Sequence, residues 1–288
     1  MKSIQYLIRI AAIAMPSILM MSGCSEPTPG EKDAAPLVEK NVSARGGLDA
    51  WRAIDSMTMS GQMDAGKLRS SQAIKAMLDS PVRRSKQAGA VAKNQPETGN
   101  QEDKVVQLPF VKEQARPRKQ RIELTFQGQN AIQVYDGEQG WKLRPFLGRH
   151  EVENYTPDEL KLASNEQELD GILIDHKRKG NRVEAEGTEQ VEGRDAYKLK
   201  VTLSNGEVRH VWLDKETYLE VKIDGTRKMD GKPRPMTTYL RDYKKVDGLQ
   251  IPHLLETRVD GVVGSERIIV EKVALNSPIA DERFQKPQ

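Results

Sequence analysis

One cysteine occurs in the 288-residue chain, and its neighbours carry the clearest chemistry in the sequence. Cys24 follows Ser22 and Gly23 at the end of an apolar run, Ile10 to Met21, which Lys2 and Arg9 precede. A positive region, a short apolar core and small residues make an export signal with its cleavage site, and about twelve apolar residues are too few to span a bilayer. A thiol directly after that site can take a diacylglyceryl group, and cleavage ahead of it frees an amino group for a further acyl chain. Two or more chains anchor a protein, because each buried methylene contributes about 0.8 kcal/mol and a single chain holds only marginally. No second cysteine exists to pair with Cys24. The other reading is a plain export signal cut nearby, leaving Cys24 as an odd thiol.

Beyond Cys24 the chain offers no recognisable reaction chemistry. It has no GxSxG, no HExxH, no phosphate-cradling glycine loop and no CxxC. His150, His176, His210 and His253 are far apart and lack ligand spacing, so neither a metal nor a cofactor is expected. Carboxylates are plentiful but scattered, and no pair is singled out for acid–base work. These residues do not describe an enzyme. Ser22, Gly23 and Cys24 resemble a bacterial lipobox, and Ser25 stands where an aspartate would resemble an inner-membrane retention signal. The expected location is the outer membrane, lipid-anchored and facing the periplasm.

Residues 1–23 therefore read as a lipoprotein signal peptide and 24–36, with Pro27, Pro29 and Gly30, as a flexible tether. Residues 37–288 are predicted to form a single domain. Leu37 to Ala44 and Leu48 to Ile54 have helical spacing around the Gly46-Gly47 stop, and Ser56 to Met63 reads as a first strand. From Asp64 to Arg121 there are thirteen basic and six acidic residues, a local +7 in a chain of net +3. Within that region, 64–104 reads as a basic, disordered insertion. It has no interleaved aromatics, so nucleic acid is not an expected partner. From Val105 onward, two-residue alternation is punctuated by Asp136-Gly137, Asn205-Gly206, Asp247-Gly248 and Asp260-Gly261, the dipeptides of tight hairpins. The fold class is α+β, mainly antiparallel β. Thr156 to Glu159 reads as a capping box that starts a helical hairpin continuing through Leu169 to Ile174 and covering the sheet. A curled sheet under such a cover can leave an apolar hollow. Trp51, Tyr135, Trp141, Phe146, Leu173 and Trp212 are the candidate lining residues, with a dry, filled core as the alternative for each.

Six stretches in order, ARGGLDAW (44–51), YDGEQGW (135–141), VEGRDAYKLKVTLSNG (191–206), VWLDKETYLEVK (211–222), DYKKVDGLQIP (242–252) and LNSPIADERF (275–284), resemble the outer-membrane lipoprotein-sorting proteins of the LolA/LolB-like superfamily. The resemblance implies a strongly curved half-barrel sheet covered by a few helices, with a cavity for acyl chains of lipids or lipoproteins. The expected function is acyl-chain or lipid binding in lipoprotein or lipid trafficking. The alternative is a non-catalytic envelope interaction or sensor protein whose partner is another envelope protein.

Overall fold

Residues 28–67, 105–145, 148–166, 169–229 and 232–288 are described by the computed structural model. The segment read as an export signal, Cys24, Phe146 and residues 68–104 of the segment read as a basic insertion lie outside them. The alternating segments form thirteen strands: β1 (Ser56–Lys67), β2 (Val105–Ala115), β3 (Lys119–Phe126), β4 (Gln129–Tyr135), β5 (Gly140–Arg144), β6 (Arg149–Asn154), β7 (Arg182–Val191), β8 (Arg194–Thr202), β9 (Val208–Asp214), β10 (Glu220–Met229), β11 (Lys232–Val246), β12 (Leu249–Val259) and β13 (Glu266–Leu275). They make one antiparallel sheet in the order β6-β5-β4-β3-β2-β1-β13-β12-β11-β10-β9-β8-β7. Every neighbour in that order is also a neighbour in sequence, except β1 and β13 at the centre.

The two sheet edges, β6 and β7, are consecutive in the chain, so the connection 155–181 runs from one edge to the other. Helix α3 (Pro157–Glu166) begins it. The capping box at its start forms as expected: Thr156 N donates to Glu159 Oε2 at 2.7 Å, and Glu159 N donates to Thr156 Oγ1 at 3.3 Å. Lys142 on β5 donates to Glu159 Oε1 at 2.5 Å, and Lys228 on β10 donates to Asp158 Oδ2 at 2.6 Å. In the sheet order β5 is second and β10 tenth. At about 4.8 Å per strand, a flat sheet would hold them about 38 Å apart. Two adjacent residues of one helix reach both, so the sheet is strongly curved and the connection lies across its concave side.

Two more helices precede the sheet, α1 (Pro29–Ala44) and α2 (Leu48–Arg52). The extent of α1 corrects the expected tether, because residues 29–36 are helical. Thr28 accepts from Glu31 N at 3.3 Å while its own N donates to Glu31 Oε2 at 2.6 Å, and Pro29 occupies the first turn, where no N–H is needed. Ala34, Val38 and Asn41 then share one buried face, and that burial outweighs the donor lost at the internal Pro36. The turn into α2 presses on the β11–β12 hairpin: a Cβ at Gly46 would lie 2.7 Å from Gly248 O, and Gly46 has φ +114°, where glycine alone is unstrained.

Two further expectations are corrected. Asp64 to Lys67, expected within the insertion, belong to β1, with Lys67 paired to Val105. Leu169 to Ile174 is a series of turns rather than a second helix, because Gly171 and Asp175 adopt φ of 79° and 54°. Leu173 and Ile174 nevertheless pack fully buried onto the sheet. No helix among the described residues is long and apolar enough to cross a membrane.

Candidate functional site

Alternation sorts the sheet into two faces. On the concave one, α1 and the turn residue Leu173 cover Val183, Leu199, Val201, Val211 and Leu213. Beside them, Trp51 of α2 packs with Met57, Ile174, Leu249 and Ile251. A third cluster, Phe110, Leu124, Ala131 and Val270, is built from strands alone. It is flanked by Met59, Met63, Leu255 and Ile268, all only partly buried. Val42 contacts both the first and second clusters, and Met59 and Val273 both the second and third, so the three are contiguous on one face. The apolar surface of β1, β12 and β13 therefore continues beyond α1 and α2, and no helix residue is among those that form this third cluster.

The candidate residues separate across this frame. Trp51 and Leu173 lie on the concave face but are packed solid, at 1% and 0% exposure. The Trp51 indole donates to Arg45 O at 3.1 Å, and the Arg45 guanidinium sits 4.5 Å from its ring centre. Tyr135 is buried and donates its hydroxyl to Gly137 O at 2.7 Å; burial pushes its phenol above the ordinary range. Trp141 and Trp212 are corrected. Trp141 pairs with Val134, which is out of step with the concave Ala131, so both point to the convex face. Trp212 stands between the concave Val211 and Leu213 and is likewise convex. Its indole donates to Glu189 Oε2 at 2.9 Å, with Lys222 Nζ 3.8 Å from the ring centre. Phe146 lies outside the described residues.

Charged groups brace the rim of the concavity. Asp170, in the edge-to-edge connection, is buried and accepts from Arg116 Nη2 at 2.8 Å and from Lys179 Nζ. Arg45 Nη1 donates to Asp170 O at 2.9 Å and lies 3.5 Å from Glu220 Oε1. Arg52 holds Asp175 through two bonds, of 2.8 and 2.6 Å, and these hold the carboxyl below its usual range. Burial, with Lys177 alongside, lowers the neighbouring His176. These contacts fasten the connection to α1, α2 and the end of β2; none converges on a point where a reacting atom would sit. Among the described residues no group of three His, Asp or Glu side chains could hold a metal ion. His210 bonds Asp224 on the convex side, Nδ1 to Oδ2 at 2.7 Å, whereas His253 is buried on β12.

The partly buried aliphatics of β1, β12 and β13 were not singled out by sequence reasoning. Their signal was present in the spacing of Met57, Met59 and Met63, but methionine alternation marks a strand face without saying whether that face is covered.

No protein-family profile matches the sequence, and no curated protein matches it as a sequence relative. Solved structures do match in shape. A DUF1329-family protein from Desulfovibrio piger is 14% identical with a TM-score of 0.53, covering 90% of this chain and 98% of that one. A LolA superfamily protein from Nitrosomonas europaea is 11% identical with a TM-score of 0.51, covering 88% and 97%. A domain from Vibrio parahaemolyticus assigned as an outer membrane lipoprotein-sorting protein is 11% identical with a TM-score of 0.50, also covering 88% and 97%. At these identities the likeness is one of fold, and it agrees with the curved antiparallel sheet, its few helices and the chain-wide correspondence: the chain has a LolA-like fold.

Proposed function

We propose that this chain is a lipid-anchored protein of the outer membrane, facing the periplasm, that holds an acyl chain of a lipid or lipoprotein without covalent chemistry. The carrying observation is the stretch of concave face around Met59, Met63, Leu255 and Ile268, apolar, only partly buried and formed by strand residues alone. Burial alone supplies the affinity: each methylene laid on that surface gains about 0.8 kcal/mol, and no bond is made or broken. The scarcity of convergent polar groups there gives little discrimination among head groups. Anchorage falls to Cys24, whose thiol takes the diacylglyceryl group; the folded domain then meets its ligand at the membrane surface.

The test is uptake of a fluorescent long-chain fatty acid by protein expressed without its signal peptide. Saturable uptake by the parent, lost in Met63→Glu and Leu255→Glu variants that melt as the parent does, supports the reading. A parent that takes up none removes it. For the anchor, Cys24→Ser in the full chain moves the protein from the membrane to the soluble fraction; unchanged membrane association contradicts lipidation at Cys24.

A further inference from the structure

The sheet is not evenly paired at its centre. β12 and β13 are bonded only from Leu254–Ile269 to Thr257–Glu266, after which the strands part. Residues 249–253 of β12 then pair with β11 alone, and residues 270–275 of β13 with β1 alone. Two local features stand where the parting starts. In continued register Pro252 would oppose Glu271. Pro252 has no N–H to offer the ladder, and Glu271 is the extra residue of a bulge, since Ser60 pairs with Lys272 and the next residue, Gly61, with Val270. At Gly61 a Cβ would come within 2.0 Å of Ile269 O, so the bulge depends on glycine. Further along, Gln250 N donates to Arg45 O at 3.1 Å instead of to a strand. The parting is thus built into both strands.

The resulting slot has a volume of about 590 Å³, within the roughly 300–1,000 Å³ range of small-ligand sites. It passes between the faces. Val246 and Val273 line its inner end, where both also pack against the Trp51 cluster, and Thr58, Ser60 and Ala274 line its outer end. Lys244, Lys245 and Lys272 line it too, against a single carboxylate, Glu271. Lys244 is paired with Asp242 at 3.0 Å, whereas Lys245 and Lys272 have no ion-pair partner among the described residues.

An apolar slot with a net cationic rim fits a molecule with one greasy tail and one negative end. We infer that the parting of β12 and β13 is a lateral port for a long-chain fatty acid, its tail directed between the strands toward Val246 and Val273 and its carboxylate held by Lys245 and Lys272. The inference rests on the lipid-binding reading for the destination of the tail, but the rim and the port are separate features with their own variants.

The experiment compares a fluorescent long-chain fatty acid with its methyl ester, which has the same tail and no charge. The parent protein is expected to bind the acid more tightly than the ester, with the difference shrinking as salt is raised. Lys245→Gln with Lys272→Gln should weaken the acid roughly three- to tenfold, the effect of losing two ion pairs made by exposed lysines, and leave the ester unchanged. Ala274→Trp, at an exposed position on the outer mouth, should slow association of both probes. If the parent binds acid and ester alike and neither set of variants changes affinity or rate, the port is wrong; loss of uptake in Met63→Glu would still uphold the concave site. If the parent binds neither probe, the lipid-binding reading fails and the port fails with it.

Discussion

The two ion pairs that hold α3 across the concavity differ in environment, and the difference predicts how the cover is fastened. Lys142 and Glu159 have side chains 4% and 15% exposed, whereas Lys228 and Asp158 are 46% and 62% exposed. Removing one partner of a buried pair strands the other charge and costs about 3–5 kcal/mol. Breaking an exposed pair costs about 0–1 kcal/mol. Lys142→Met should therefore lower the melting temperature by roughly 6–20 °C, at about 2–4 °C per kcal/mol for a domain of this size, and Lys228→Gln by no more than about 4 °C. Hydrogen exchange separates local from global effects: α3 amides should exchange faster in Lys228→Gln while the β8 and β9 amides stay protected. Equal thermal losses in the two variants, or α3 exchange unaffected by Lys228→Gln, would refute the picture of a cover fixed firmly at β5 and loosely at β10. A double-mutant cycle between Lys142 and Glu159 checks that the large loss belongs to that pair.

Trp51→Ala removes the largest side chain of the second cluster and its bond to Arg45 O, and should cost about 3–5 kcal/mol in a urea unfolding series. In contrast, Trp212→Phe retains most of the ring and loses a bond to a partly exposed carboxylate, so its effect should stay near about 1 kcal/mol, and acyl uptake should be unchanged. The edge-to-edge connection should also respond to acid. His176 is lowered from 6.5 by burial first and then by Lys177, so the folded state binds fewer protons than the unfolded one. Its contribution is intact above about pH 6.5 and is lost as pH falls toward the folded value. Asp175, lowered chiefly by the Arg52 bond, adds a second loss at lower pH, below its ordinary 3.8. The urea midpoint should decline from about pH 6.5 downward, and His176→Gln should flatten that first decline; an unchanged profile in the variant contradicts the assignment.

The legible parts of this protein were those governed by local rules. The Thr156 capping box, the two-residue Asp247-Gly248 hairpin and the alternation on either side of Asn205-Gly206 each depend on a few adjacent residues, and each formed, whereas Asp136-Gly137, Asn205-Gly206 and Asp260-Gly261 fall in longer connections than the tight hairpins expected. The helix over residues 29–36 was misread because Thr-Pro-Gly suggests a tether, whereas Thr28 and Pro29 here cap and start a helix whose stability comes from burying Ala34 and Val38 on strands far away in sequence. Face assignment failed for Trp141 and Trp212 for a related reason. Aromatic size marks burial but not side, and the side depends on register with partners such as Val134 and Lys198. The parting of β12 and β13 was still less accessible: it needs Pro252 and the Glu271 bulge to meet, and pairing between distant strands alone brings them together.

The most direct measurement is site mapping with a photoreactive long-chain fatty acid, followed by peptide mass spectrometry. Saturable adducts are predicted on β1, β12 and β13 around Met59, Met63, Leu255 and Ile268. Adducts confined to the convex face around Trp212, or labelling that excess unlabelled fatty acid does not suppress, would contradict a ligand held in the curve of the sheet.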